Sequence, residues 1–96
     1  MENLSIKTII PILKSNDVGF AGIFGSYAKG TANAKSDVDL LVRFNKPKSL
    51  FKIVSLEREL SVALNKKIDL VTEGFLSPYI KEDVFRELKI MYGKRW

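Results

Sequence analysis

Ile6, Ile9, Ile10 and Leu13 recur at the i, i+3, i+4, i+7 spacing of an amphipathic helix that follows Ser5. Pro11 falls inside it, and a proline there removes a backbone donor and kinks the helix, unless the helix begins near Thr8 and Pro11 lies in its first turn. Residues 19–24, GFAGIF, form an unbroken apolar run that predicts a buried strand delivering the chain to Gly25 and Ser26. A short helix is expected from Ser26 to near Gly30, then a loop. The stretch DVDLLVRF alternates: Val38, Leu40, Val42 and Phe44 face one way, and Asp37, Asp39, Leu41 and Arg43 the other. Ser49 is a candidate N-cap, Leu50, Ile53, Val54, Leu60 and Leu64 mark the core stripe of the longest helix, and Asn65 closes it. KKIDLVT reads as a third strand, with Ile68 and Leu70 opposite Asp69 and Val71. Ser77 and Pro78 suit the N-cap and first position of a last helix whose inward residues are Ile80, Val84, Leu88 and Met91.

The resulting order, αβαβαβα, predicts an α/β (α+β) fold with a small mixed β-sheet and flanking helices. Residues 1–96 read as one domain, since a chain of this length has room for one core and one site. Hydrophobic residues make up 46% and charged residues 28%, far from the composition of a disordered chain. The phenylalanines, Phe20, Phe24, Phe44, Phe51, Phe75 and Phe85, lie in or beside apolar patterns and are expected in the core.

Cysteine and histidine are both absent, which excludes disulfides, a thiolate nucleophile, a Cys/His zinc site and a Ser-His-Asp triad. Chemistry must therefore rest on carboxylates, hydroxyls, amines or a hard cation. No apolar run suits a signal peptide or a membrane span, so the expected location is the cytoplasm. The formal net charge of +5 points toward an anionic partner, but the basic residues are scattered, and a solvated surface accounts for most of them.

Against that basic background, two aspartates at the head of an apolar strand need a reason. Alternation places Asp37 and Asp39 on one face, with α-carbons about 6.5 to 7 Å apart, close enough to converge on a cation. Unpaired, such carboxylates repel and one tends to keep a proton. In an ordinary structural reading, Asp37 caps a turn after Ser36 and Asp39 pairs with Arg43 or a lysine. Asp69 weighs against that reading, because it is a third acid on a polar strand face, where carboxylates are depleted. Hard divalent cations take oxygen ligands, and Mg²⁺ is commonly held by one or two carboxylates together with substrate phosphates. Three aspartates on neighbouring strands could hold two such ions, about 4 Å apart, across an in-line displacement at phosphorus. Gly25 would let the backbone approach a phosphate, and Ser26 offers a hydroxyl and an amide at the start of the short helix, although a plain turn and N-cap explain both residues equally well in isolation. GSYAKGT lacks the Lys-Ser/Thr of a P-loop, and DVDLLVRF lacks the glycine and later acids of an EF-hand.

Gly25-Ser26, ten further residues, then Asp37-Val38-Asp39 resembles the signature of the DNA polymerase β-like nucleotidyltransferase superfamily. With Asp69 in KIDLV and the segment LSPYIKEDVFREL, the resemblance extends over nearly the whole chain and is to the MntA-type minimal nucleotidyltransferases. It implies an antitoxin that uses ATP and Mg²⁺ to transfer AMP to a tyrosine hydroxyl of a HEPN-type RNase toxin, releasing pyrophosphate. By the same resemblance, Asp37, Asp39 and Asp69 are metal ligands, Asp69 is also the general base, and Gly25, Ser26 and Lys29 hold the triphosphate. Lys29 stands where many relatives carry arginine, giving up the planar fork that grips phosphate by two bonds. Arg43 follows the acids on the same face, where it could neutralise them or contact phosphate. Tyr27 either lies over the nucleotide or packs its short helix, Lys35 either touches phosphate or is solvated, and Trp96 is either frayed or held by a partner. Rival readings are a non-catalytic antitoxin that blocks its partner sterically and, with less support in a chain that shows no second domain, nucleotidyl transfer to a small molecule. Nucleic acid as a direct substrate would rest on charge alone.

Overall fold

The computed structural model describes residues 6–33 and 35–94. Its elements run α1 (Ile6–Ser15), β1 (Val18–Phe24), α2 (Ser26–Lys29), β2 (Val38–Phe44), α3 (Leu50–Leu64), β3 (Ile68–Thr72), a 3₁₀ turn (Glu73–Phe75), α4 (Pro78–Glu87) and β4 (Lys89–Gly93). The strands form a mixed sheet in the order β3-β2-β1-β4. β1 pairs antiparallel with both β2 and β4, while β2 and β3 are parallel and joined through α3. A parallel pair needs such a crossover, and the helix covers the sheet face it passes.

Periodicity fixes which residues meet. Ile9 and Leu13 of α1 and Ile53, Leu56 and Leu60 of α3 are buried together with Ala21 and Ile23 of β1, Val38, Leu40 and Val42 of β2, and Ile68 and Leu70 of β3. Leu56, absent from the stripe expected for α3, is fully buried, whereas Leu50 and Val54, expected in it, are exposed. The stripe that faces the sheet is thus 53, 56, 60 and 64, and Leu50 and Val54 sit on the flank turned from it. Two of the phenylalanines also depart from expectation: Phe51 and Phe75 are exposed, while Phe20 is buried. Phe20 and Leu41 point to the opposite sheet face, where the Leu88 side chain fills the space over Gly22.

The remaining helices carry the expected caps. The Ser49 hydroxyl accepts from the Lys52 amide, Asn65 closes α3 in the left-handed region, and the Ser77 hydroxyl accepts from the Tyr79 amide with Pro78 at the helix start. α1 runs through Pro11 rather than starting near Thr8, and Pro11 lies on its exposed side, where water can serve the freed carbonyl. Asn16, buried at the end of α1, donates to the Ile12 carbonyl and to Glu59 and accepts from Lys52 at 2.7 Å, pinning α1 to α3. Ser5 and Trp96 lie outside the described residues.

The largest departure is β4. The last helix stops at Glu87, so Leu88 and Met91 are not on its inward face, and Ile80 of that helix is half exposed. The segment after Leu88 has two readings, a four-residue helical repeat and an alternation of Leu88, Ile90 and Tyr92. The strand prevails because β1 would otherwise present an unpaired edge, which β4 covers. A register shift between Ala21 and Gly22 lets both Met91 and Tyr92 pack on the core. Among the described residues no helix is long and apolar enough to cross a membrane.

Candidate active site

β1 hands over to α2 through Gly25, whose φ of 73° and ψ of −150° form a conformation open essentially to glycine. A side chain here would also run into the carboxylate of Asp39. Backbone conformation and space therefore both require the residue that the motif supplies. Ser26 begins α2, its carbonyl accepting from the Gly30 and Thr31 amides as Gly30 turns left-handed. The chain then returns through a turn fixed by Asn33 and Ser36: the Asn33 carboxamide accepts from the Lys35 amide, and the Asn33 amide donates to the Ser36 hydroxyl. These two side chains, rather than Asp37, hold that turn.

Parallel pairing sets Asp39 directly opposite Asp69, with α-carbons about 4.8 Å apart. Both side chains leave the sheet on the face away from α1 and α3, since Leu40 and Leu70, the next residue in each strand, enter the core. Burial, the charge of Asp69, a hydrogen bond with it, and the charge of Asp37 raise the Asp39 carboxyl to about 6. Asp37 stands one residue before β2, and its carboxylate meets the Lys67 ammonium at 3.7 Å, while Lys67 also accepts the Val38 amide through its carbonyl. The structure thus brings Gly25, Asp39 and Asp69 together and draws Asp37 to a lysine at the rim. Among the described residues no three acids form a ready cation cluster. The donor chemistry nevertheless suits a hard divalent ion: the close oxygen pair repels itself, and among the described residues the ion pair of Asp37 is an exposed one, of the kind worth about 1 kcal/mol or less.

The flanking candidates are distributed differently. Lys29 pairs with Glu87 at 3.3 Å, tying α2 to the end of α4. Arg43 lies 5.6 Å over the Phe20 ring and donates to the Lys94 carbonyl, so it is engaged at the far end of β2 from the acids. Tyr27 is buried in the core cluster with Lys66 5.9 Å from its ring centre, so it packs the short helix. Lys35 is exposed in the loop. Sequence reasoning missed two supporting residues. Lys67, which precedes β3, pairs with Asp37, and Glu57 accepts from the Leu70 amide at 2.8 Å, bracing β3 next to Asp69. Glu57 lies one helical turn from Ile53 and Leu60, which is the available sequence signal for an inward-facing acid.

Residues 7–95 match the family described as polymerase beta, nucleotidyltransferase. This chain belongs to that nucleotidyltransferase family. Within it, the protein adenylyltransferase MntA of Thermococcus cleftensis is 43% identical over 67 residues, covering 70% of this chain and 68% of that one. A crystal structure of a toxin-antitoxin with AMP-PNP contains a chain that superposes with a TM-score of 0.84 at 28% identity, covering 96% of this chain and 76% of that one. A structure of a tri-AMPylated Shewanella oneidensis HEPN toxin in complex with MNT antitoxin gives a TM-score of 0.76 at 25% identity, covering 99% of this chain and 75% of that one. The mixed sheet and its helices are those of the minimal nucleotidyltransferase fold, and the chain is a nucleotidyltransferase.

Proposed function

We propose that this nucleotidyltransferase is the antitoxin of a toxin-antitoxin pair and acts in the cytoplasm, transferring AMP from ATP to a tyrosine hydroxyl of a HEPN-type RNase toxin and so neutralising it. The observation that carries the reading is the in-register pair of Asp39 and Asp69 against the side-chain-free surface of Gly25. The names of its relatives, and the AMPylated toxin in one related complex, supply the acceptor class.

In this reading Asp37, Asp39 and Asp69 hold Mg²⁺, which supplies positive charge against the triphosphate and the leaving pyrophosphate. Gly25 leaves room for the phosphates, Ser26 hydrogen-bonds them, and Lys29 contributes charge once released from Glu87. The acceptor oxygen attacks the α-phosphorus in line, its proton passes to Asp69, and the bond from the α-phosphorus to the bridging oxygen breaks, so that pyrophosphate departs. Asp69 suits the proton-accepting role because its strand is braced from outside by Glu57.

The test is co-expression with the protein encoded beside the gene, followed by intact masses after ATP and Mg²⁺. Transfer predicts one or more added AMP masses on the neighbour with the wild type and none with Asp37→Asn/Asp39→Asn. The exposed apolar residues of α3 favour, as a second reading, an antitoxin that acts by binding alone. That reading predicts neutralisation by the double variant as well.

A further inference from the structure

Away from the acids, the opposite end of β2 and β3 carries a surface that the transfer reaction does not use. A cavity of about 350 Å³ opens between the 3₁₀ turn, the loop after β2 and the first turns of α3, with Phe44, Ile53 and Phe75 among its walls and Lys46 and Lys48 at its rim. A second hollow of about 150 Å³ lies along α3 between Phe51, Val54 and Arg58. Leu50 precedes Ile53 of the first hollow by three residues and Val54 of the second by four, so helical spacing sets its exposed side chain between the two. Leu50, Phe51 and Phe75 are 64, 84 and 66% exposed, a cost in water that a covering partner would remove.

Charge selects the occupant. Lys48 pairs with Asp17, whose carboxylate also feels the charge of Lys46, and Glu73 pairs with Lys81, which leaves Lys46 and Lys48 to share one acid, and Arg58 forms no ion pair among the described residues. The patch is therefore apolar with a positive rim. A second copy of this chain, whose net charge is +5, would bring like charges together. We propose that this surface docks an acidic segment of the partner protein, with one large apolar side chain seated in the larger cavity. The identity of that partner rests on the toxin-antitoxin reading. Asp39 and Phe44 are five residues apart along β2, about 16 Å, so a partner held here leaves the acid face open to receive an acceptor hydroxyl.

The experiment measures affinity between the purified neighbour and four forms of this chain: wild type, Asp37→Asn/Asp39→Asn, Leu50→Glu/Phe51→Glu and Lys46→Glu/Arg58→Glu. The expected result is unchanged affinity for the aspartate variant. The apolar-patch variant should lose tenfold or more with its melting temperature kept, and the charge-reversed variant should bind more weakly with a shallower salt dependence. Wild-type affinity in both patch variants would overturn the proposal while leaving the transfer reading intact. Patch-dependent binding of a neighbour that never gains AMP would sink the transfer reading and keep the surface. Self-association of the wild type that Leu50→Glu/Phe51→Glu abolishes would assign the patch to a second copy, and absence of any binding to the neighbour would refute both.

Discussion

Leu40 and Asp39 are adjacent on β2, yet they meet opposite surroundings. Leu40 is sealed between the sheet and the two helices α1 and α3, in a layer where Ile9, Leu13, Ile23, Leu56 and Leu60 are all fully buried. Asp39 faces the other way, against another carboxylate, over a glycine, and partly open to solvent. One face contributes stability through packed apolar area, while the other accepts an electrostatic penalty to keep two acids together. What the contrast teaches is a division of labour within single strands: alternate residues of β2 and β3 serve packing and, in the proposed function, chemistry, so a substitution can damage one and spare the other.

The largest effect expected is on transfer. Asp39→Asn should lower the rate of AMP transfer by about 10³-fold or more, roughly 4 kcal/mol of transition-state stabilisation, while the circular dichroism spectrum is unchanged. Loss of fold in this variant would break the division between faces. On the packed side, Leu56→Ala should cost about 2 to 5 kcal/mol in denaturant unfolding. A cost under about 1 kcal/mol would mean that α3 is not seated as described. Gly25→Ala tests the seam between the two faces. Strain at its positive φ costs about 1 to 3 kcal/mol, and the new methyl group displaces the Asp39 carboxylate, so transfer should fall more than the stability loss alone accounts for.

The smallest effect concerns pH. The folded-state value of Asp39, about 6, lies above its unfolded value of 3.8, so ionisation at neutral pH works against folding, and stability should rise as pH falls through 6 toward 4. Screening by solvent limits the gain to the order of 1 kcal/mol. The metal-free melting temperature should therefore be higher at pH 5 than at pH 7.5, and Asp39→Asn should remove the difference. Asp17, whose carboxyl is lowered by its hydrogen bonds to Lys48 and Asn45, contributes stability that is lost only below its ordinary range, outside this window. A flat profile in the wild type would mean that the two acids do not oppose one another in the folded protein.

Much of this arrangement could be read in the order of residues, because the features concerned are local. The Gly25-Ser26 turn, the alternation of β2, and the caps at Ser49, Asn65, Ser77 and Pro78 each follow from a few neighbouring residues, and the structure carries all of them. The features that escaped depend on what lies across the fold. β4 was hidden because a residue order compatible with a helix became a strand only in the presence of β1's open edge. Phe51, Phe75, Leu50 and Val54 carry the pattern of core residues, because apolarity does not reveal whether the fold places a neighbour over a side chain. At the site, the co-facing of Asp37 and Asp39 was visible from alternation. The pairing of Asp39 with Asp69 and the capture of Asp37 by Lys67 were not, since both depend on how a parallel strand more than two dozen residues away aligns.

That alignment also sets what changes in length the gene can tolerate. One extra turn inserted in α3 would lengthen the crossover and leave β2 and β3 in step. Deleting one residue from the turn at 65–67 would slide β3 by a single position, sending the acid of residue 69 into the core and Leu70 out among the carboxylates. The spacing between the second and third aspartates is then a counted distance only at its last few residues, and insertions among the descendants of this chain should collect in the body or outer end of the helix rather than in the short turn that follows it.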